Sequence, residues 1–205
     1  MAFFHRANAH RRRGDIRNAR ADIDQAIRLD PTYAPAFVAH GLMSTDPSRA
    51  IADYGQAIAL DPTYARAFMY RGKAHTYRKD YVRAITDFDQ AITLDAKLTE
   101  AMQARADAYR DKGDPDRAIA DYDAIIRSAP RSADAFDGRA IAYLAKGDIG
   151  HAVSDAGEAI AIDESDISAY WLRGRLRVAT GDFAGAAADM RRILDDWAED
   201  SRPKP

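Results

Sequence analysis

Apolar residues recur along this chain at the spacing of amphipathic helices, and the whole pattern repeats every 34 residues. Residues 65–98 show the unit most clearly, as two helical patterns joined by a short turn. The positions that coincide after a shift of one period are Phe68 with Met102, Ala84 with Ala118, and Phe88 with Tyr122. A fixed period of this length predicts a stack of helical hairpins, each packed on its neighbours. No stretch alternates apolar and polar residues over a strand's length, so we expect an all-α protein.

Extending the period in both directions gives six repeats and a short tail. The ranges are 1–33, 34–64, 65–98, 99–132, 133–166 and 167–200, with the tail at 201–205. The second repeat is short, because Pro31 and Pro62 fill the same slot only 31 residues apart. We therefore expect its first helix to end near Met43, while that of the third repeat reaches about Arg78. The shortfall would leave room beside Arg66 for a bulky side chain of a partner; the alternative is a deletion tolerated in a loop.

Each repeat carries the same boundary residues between its two helices. Glycine follows the first helix at Gly14, Gly113, Gly147 and Gly181, which suits the left-handed position after a helix end. An aspartate comes next in all six repeats and predicts an N-cap for the second helix. These residues are Asp15, Asp46, Asp80, Asp114, Asp148 and Asp182. Small residues at two further slots, such as Gly72 and Ala84, favour close approach of the paired helices.

The pattern resembles the tetratricopeptide repeat, whose signature is an aromatic residue, Leu-Gly, Tyr, Ala, Phe and Pro. In the fourth repeat the corresponding residues are Met102, Arg105-Ala106, Tyr109, Ala118, Tyr122 and Pro130. The resemblance extends over residues 1–200. It implies a single right-handed superhelical solenoid of antiparallel helix pairs, with about twelve helices. It also implies a concave groove, lined by the first helices, that binds an extended peptide or a helix of a partner protein.

The chain departs from the family at the Leu slot, which holds arginine in five repeats and His40 in the second. A matching slot on the second helices holds aspartate throughout. The two sets are Arg6, His40, Arg71, Arg105, Arg139 and Arg173, and Asp22, Asp53, Asp87, Asp121, Asp155 and Asp189. We infer a cation–carboxylate pair across every hairpin. A structural role is favoured over a ligand-binding row of arginines, although partly exposed pairs contribute only about 0–1 kcal/mol each.

The groove residues follow from the i, i+3, i+7 rhythm beside the packed face of each first helix. They are Phe4, Asn8, Val38, Leu42, Arg66, Met69, Lys73, Glu100, Gln103, Asp107, Asp134, Asp137, Ile141, Trp171 and Arg175. The third repeat contributes cations to this surface and the fourth and fifth contribute carboxylates. The groove is therefore expected to be bipolar and to orient a charged partner peptide. A solvated surface with no cognate peptide is the alternative.

Composition and the absence of several sequence motifs argue against some classes of function. The net charge of −2 gives no general attraction to nucleic acid or to an anionic membrane, and we expect neither as a partner. The absence of cysteine excludes disulfides and thiolate metal sites. The histidines form no ligand pair, no glycine-rich phosphate loop occurs, and no serine lies in a nucleophile elbow. We therefore predict a protein that is not an enzyme, with no cofactor, no metal site and no catalytic residue.

The function predicted is a protein–protein interaction scaffold whose partner is an unidentified protein or peptide. A structural self-assembly module and a regulatory arm of a larger protein are the alternatives. Some family members clamp the C-terminal carboxylate of chaperone tails. Phe4 and Ala39 stand here where that clamp needs Lys and Asn, and Tyr70 replaces its Arg, so we reject this ligand. Neither a signal peptide nor a membrane-spanning segment is recognisable, so we expect a soluble, cytoplasmic protein.

The last helix carries an apolar stripe that no further repeat follows. Its members lie at helical spacing and are Met190, Ile193, Leu194 and Trp197. Part of this stripe should be exposed, and an exposed apolar patch tends to find a partner. We expect a weak homodimer through this end, related by a two-fold axis. The alternative is that the chain is cut from a longer array whose next helix covers this face.

Overall fold

The computed structural model describes residues 2–200, with side chains up to residue 198. Two compact units make up the chain, Met1–Ala108 and Tyr109–Pro205. The tail predicted at residues 201–205 lies outside the described residues. Repetition of one packed hairpin is the organising feature within each unit. That the six repeats form a single continuous solenoid stays a prediction.

Residues 2–200 contain twelve α-helices and no β-strand, which confirms the all-α prediction. The helices are α1 (Ala2–Arg12), α2 (Ile16–Leu29), α3 (Ala34–Leu42), α4 (Pro47–Leu60), α5 (Ala65–Tyr77), α6 (Tyr81–Leu94), α7 (Thr99–Lys112), α8 (Pro115–Ser128), α9 (Ala133–Ala145), α10 (Ile149–Ile162), α11 (Ile167–Thr180) and α12 (Phe183–Asp200). Each predicted repeat range contains one pair of them. Odd-numbered helices are the first helices of the hairpins and even-numbered helices are the second.

The boundary residues act as expected. The aspartate before every second helix accepts a hydrogen bond from a backbone amide of the first turn; Asp15, for example, accepts from the Asn18 amide. The four predicted glycines all have positive φ, between 77° and 87°. In the third repeat Lys79 occupies this position with φ 59°, a left-handed conformation that costs a residue with a side chain more than it costs glycine.

Small residues let the paired helices approach closely. Ala84 and its equivalents in the other repeats are all buried. A Cβ atom added at Gly72 would lie 2.6 Å from a ring carbon of Phe88, which itself is fully buried. Any larger residue at position 72 would displace this ring, because well-packed interiors have no spare volume.

Ion pairs join the two helices of the hairpins, as predicted. Each guanidinium donates from Nε and Nη2 to both carboxylate oxygens, over 2.6–3.1 Å. The pairs are Arg6 with Asp22 and Arg71 with Asp87 in the first unit, and Arg139 with Asp155 and Arg173 with Asp189 in the second. The His40 ring contacts Asp53 at 2.8 Å. Arg105 and Asp121 belong to different units, so their pairing stays a prediction.

The second repeat has a short first helix, which confirms the prediction made from the missing residues. Helix α3 has 9 residues and ends at Leu42, whereas α5 has 13 residues and ends at Tyr77. At 1.5 Å per residue, the difference corresponds to roughly 6 Å of helix. The last turn of α5 therefore has no corresponding turn in α3 of the preceding repeat.

Candidate functional site

Most of the predicted groove residues reach solvent. The exposed ones are Leu42, Arg66, Glu100, Asp134, Ile141, Trp171 and Arg175, and the half-buried ones are Phe4, Asn8, Lys73, Gln103, Asp107 and Asp137. Exposure is what a binding surface requires, and whether a partner uses these residues stays a prediction.

Two of the predicted groove residues are buried instead. Val38 is 4% exposed and packs in one cluster with Tyr54 and Ala67, and Met69 is 0% exposed. The helical rhythm identified a stripe beside the packed face, but first helices such as α3 and α5 also pack against a neighbouring repeat. The cluster that contains Val38 includes Ala67 of the following repeat. Val38 and Met69 belong to the core and offer no surface to a ligand.

A cation and a carboxylate of the predicted binding surface pair with each other in the first unit. The Lys73 ammonium lies 2.5 Å from a carboxylate oxygen of Glu100. The basic zone expected from Arg66 and Lys73 is thus partly neutralised by the acidic zone beside it. Arg66, the other cation that the third repeat contributes to this surface, is exposed.

The second unit contains a carboxyl group that keeps its proton near neutral pH. Burial raises the pKa of Asp137 to about 8, with help from the hydrogen bond and charge of Asp166 and the charge of Asp134. Burial would also raise the pKa of Asp166, but hydrogen bonds from Asp137, the Ala169 amide and Ser168 outweigh it and lower that pKa. Asp137 was predicted to be an acidic groove residue, whereas it is mostly neutral at pH 7.

A pocket opens where α3 ends early, within the first unit. Its volume is about 520 Å³, within the roughly 300–1,000 Å³ typical of ligand sites. The lining residues are Gly41, Leu42, Ser44, Thr45, Pro47, Ala50, Tyr54, Tyr70, Lys73, Ala74 and Tyr77. We call it the short-repeat pocket. It includes the groove residues Leu42 and Lys73, so it is continuous with the surface predicted to bind a partner.

Aromatic side chains give the short-repeat pocket its character. Tyr54 and Tyr70 stack with ring centroids 5.8 Å apart, and Tyr77 is 79% exposed beside them. Burial raises the pKa of Tyr54 to about 12, so its hydroxyl stays protonated and can donate a hydrogen bond. The site can therefore pack an apolar group against aromatic rings and offers few polar partners at its edge.

The apolar stripe of α12 is divided between the core and the surface. The methyl group of Met190 lies against Gly174, where an added Cβ would be 2.5 Å away. Met190 and Ile193 are half-buried, whereas Leu194 is 63% and Trp197 66% exposed. The self-association prediction, which names all four residues, therefore rests on Leu194 and Trp197. Met190 packs within its own hairpin, and Ile193 is only partly accessible.

Sequence reasoning missed a second row of carboxylates on the second helices. Asp24, Asp89 and Asp123 each lie two residues after the aspartate of a hairpin pair. Each contacts the Arg or His side chain at the Leu slot of the following repeat, as Asp89 does with Arg105 at 2.6 Å. The signal was present as a recurring Asp-x-Asp at one place in the period, and only its first member was used.

Residues 2–200 hold neither a metal-binding cluster nor a membrane-spanning helix. No group of three or more His, Asp or Glu side chains there is arranged to hold a metal ion. None of the described helices is long and apolar enough to cross a membrane.

Stacked antiparallel hairpins with small residues at the helix contacts define a helical repeat protein of the interaction-scaffold class. Tetratricopeptide repeat models match residues 44–98 and 104–167, and a second such model matches residues 1–33. The chain belongs to the tetratricopeptide repeat family, whose members are generally scaffolds for protein interactions rather than enzymes. No curated protein matches the sequence.

Solved structures with a similar fold include those of PilW, MamA and YrrB. PilW, a type IV pilus biogenesis factor, is 18% identical with a TM-score of 0.88, over 96% of this chain and 93% of its own. MamA is 25% identical with a TM-score of 0.70, over 79% and 96%. YrrB, described as a tetratricopeptide repeat protein with an unusual peptide-binding site, is 22% identical with a TM-score of 0.69, over 82% and 88%.

Proposed function

We propose that this protein is a non-catalytic scaffold that binds a peptide or helix of a partner protein on the surface of its first helices. In the first unit, the short-repeat pocket receives a large apolar side chain of that partner. The main observation that supports this proposal is the pocket of about 520 Å³ beside Tyr54, Tyr70 and Tyr77. The peptide-binding site named for YrrB supports a peptide ligand for this fold.

An aromatic or large aliphatic side chain suits the pocket for two reasons. Buried aromatic anchors in a preformed pocket are the residues that dominate binding energy in protein interfaces. The lining also consists mainly of aromatic rings and methyl groups. A charged group buried there would lose its hydration without gaining equivalent hydrogen bonds. Arg66, beside which the sequence predicted this space, does not line the pocket. It is exposed on α5, the helix that carries Tyr70 and Tyr77, so an acidic residue elsewhere in the partner segment would be favoured.

The test is selection of a random-peptide display library on the full chain, followed by affinity measurement with a labelled selected peptide. Enriched peptides should share one large apolar residue. Ala74→Phe places a ring in the pocket and should weaken binding by at least about tenfold. Ala59→Phe adds the same group at an exposed position of α4 and should leave binding unchanged. Equal affinity for both variants, or no enrichment at all, would count against the proposed function.

Self-association is a second candidate, favoured by the exposure of Leu194 and Trp197 on α12. An exposed apolar pair at the end of a helix can bury itself against the same end of a second copy. Such a dimer would be weak, because two side chains fall far short of the area of a standard interface. It would coexist with peptide binding, since the short-repeat pocket lies in the other unit.

A further inference from the structure

The second row of carboxylates has two gaps. Asp24, Asp89 and Asp123 fill this position in the first, third and fourth repeats. Gly55 and Gly157 fill it in the second and fifth repeats. Where the aspartate is present, it contacts the Arg or His side chain at the Leu slot of the next first helix. The distances are 3.6 Å from Asp24 to His40, 2.6 Å from Asp89 to Arg105, and 2.5 Å from Asp123 to Arg139.

Arg139 shows what a complete site looks like. Its Nε and Nη2 atoms donate to Asp155 of its own hairpin, and its Nη1 donates to Asp123 of the preceding hairpin. One guanidinium thus binds two carboxylates from opposite sides. The planar group has five donors in a fixed arrangement, which makes this double contact geometrically favourable.

Arg71 has only half of this arrangement. Its Nε and Nη2 atoms donate to Asp87, but its Nη1 has no hydrogen-bond partner among residues 2–200. A Cβ atom added at Gly55 would lie 3.9 Å from that Nη1 atom. Position 55 therefore faces the guanidinium as Asp123 faces Arg139, and the carboxylate is missing.

A pocket of about 400 Å³ lies at this place, between α4, α5 and α6 of the first unit. Its lining residues are Ile51, Arg71, His75, Arg83, Thr86 and Asp87. The pocket is far larger than the space a missing aspartate side chain would leave, and it falls within the usual range of ligand sites. It contains none of the residues of the short-repeat pocket, so it is a separate site.

The charges around this pocket balance one another, so the group that would attract an anion is the Nη1 donor of Arg71. Arg71 is balanced by Asp87, and Arg83 is paired with Asp80 at 3.3 Å. Burial lowers the pKa of His75, opposed by the charges of Asp87 and Asp80, so the ring is neutral at pH 7. An added carboxylate would give Arg71 the same two negative partners that Arg139 already has.

We propose that the pocket at Arg71 binds a carboxylate, held by Nη1 in the way that Asp123 is held at Arg139. The source is either an acidic side chain of a polypeptide or a small free carboxylate. Charge-assisted hydrogen bonds of this kind are short and strong when partly screened from water, as the side chain of Arg71 is. The site does not depend on peptide binding at the first helices and would stand if that binding failed.

The test follows the side-chain Nε–H resonance of Arg71 in the full chain by NMR during separate additions of sodium acetate and sodium phosphate, with sodium chloride at equal ionic strength as the reference. Three variants accompany the wild type. Gly55→Asp supplies the missing carboxylate internally, and Gly55→Ala adds only a methyl group at ordinary contact distance. Asp123→Ala opens the equivalent place at Arg139 in the second unit.

Acetate should produce a saturable shift at Arg71 in the wild type and in Gly55→Ala. In Gly55→Asp the dissociation constant should rise by at least about tenfold. In Asp123→Ala a new acetate-dependent shift should appear at Arg139. A shift that persists in Gly55→Asp, a response to inorganic phosphate but not acetate, or no response beyond that of chloride would each overturn the proposal.

The source of the carboxylate is resolved by a second probe, the capped peptide acetyl-Ala-Glu-Ala-amide. Binding of this peptide at least about tenfold tighter than acetate would identify an acidic polypeptide segment as the ligand. Equal affinity would identify a small free carboxylate. Both results support the carboxylate site, and loss of both interactions in Gly55→Asp is required in either case.

Discussion

The protonated carboxyl group of Asp137 should make the second unit less stable as pH rises. The pKa of Asp137 is about 8 in the folded protein, against an ordinary value of 3.8. Below about pH 4 the group is protonated in both states and makes no difference. Between the two values the unfolded chain releases this proton while the folded protein keeps it. Stability from this group is therefore lost as pH rises through the window and stays low above about pH 8.

Replacement of Asp137 by Asn removes the titratable carboxyl group while keeping the shape of the side chain and a hydrogen-bond donor for Asp166. Each pH unit inside the window costs the wild type roughly 1.4 kcal/mol through this group. Because Asp166 shares the proton and the site is not fully buried, we expect a total difference on the order of a few kcal/mol. Asp137→Asn should match the wild type at about pH 4–5 and exceed it in stability at about pH 9.

The assay is urea unfolding of both proteins at several pH values, with the difference in unfolding free energy plotted against pH. Taking the difference cancels the titration of the other carboxylates. Glu158→Gln removes an exposed carboxylate from α10 and should run parallel to the wild type. Parallel profiles for Asp137→Asn and the wild type would refute the assignment of the raised pKa.

Four further variants test other parts of the structure. Asp155→Asn leaves Arg139 facing a buried amide and should cost about 2–4 kcal/mol in urea unfolding, whereas Asp123→Asn, at a half-exposed site, should cost less than about 1 kcal/mol. Lys79→Gly relieves the left-handed backbone at φ 59° and should raise stability by up to about 1 kcal/mol, as measured by thermal unfolding. The double change Leu194→Glu and Trp197→Glu should abolish any concentration-dependent increase in sedimentation coefficient.

Each of these predictions has a contrary outcome. Equal losses of unfolding free energy in Asp155→Asn and Asp123→Asn would mean that burial of the hairpin ion pair does not affect its contribution to stability. A glycine at position 79 that destabilises the protein would mean that chain entropy outweighs the backbone strain. A wild type that sediments as a monomer at high concentration would exclude the α12 dimer.

Repetition made most of the fold predictable. One capping aspartate in a single sequence says little, but six at the same place in a fixed period set the helix boundaries. The short α3 followed from the same counting, because the residues after Met43 replace the last helical turn that the other repeats have at this place in the period. Pairing of Arg with Asp across the hairpin was predictable for the same reason.

The candidate site was less predictable, because it depends on contacts between repeats. The helical rhythm placed Val38 and Met69 beside exposed residues, but it could not show which of these the next repeat covers. The proton on Asp137 depends on Asp166, which caps a helix in the following repeat. Sequence spacing gives the positions of such residues and gives neither the distance between them nor their burial.

The central claim is that a partner lies on the first-helix surface with a side chain in the short-repeat pocket. The most direct measurement is photo-crosslinking with benzoylphenylalanine placed at Tyr77, on the edge of the pocket, or at Val82, an exposed residue of the second helix α6. The selected peptide should crosslink at position 77, and mass spectrometry should locate the bond at or next to its large apolar residue. Crosslinking at position 82 but not at position 77 would contradict the account.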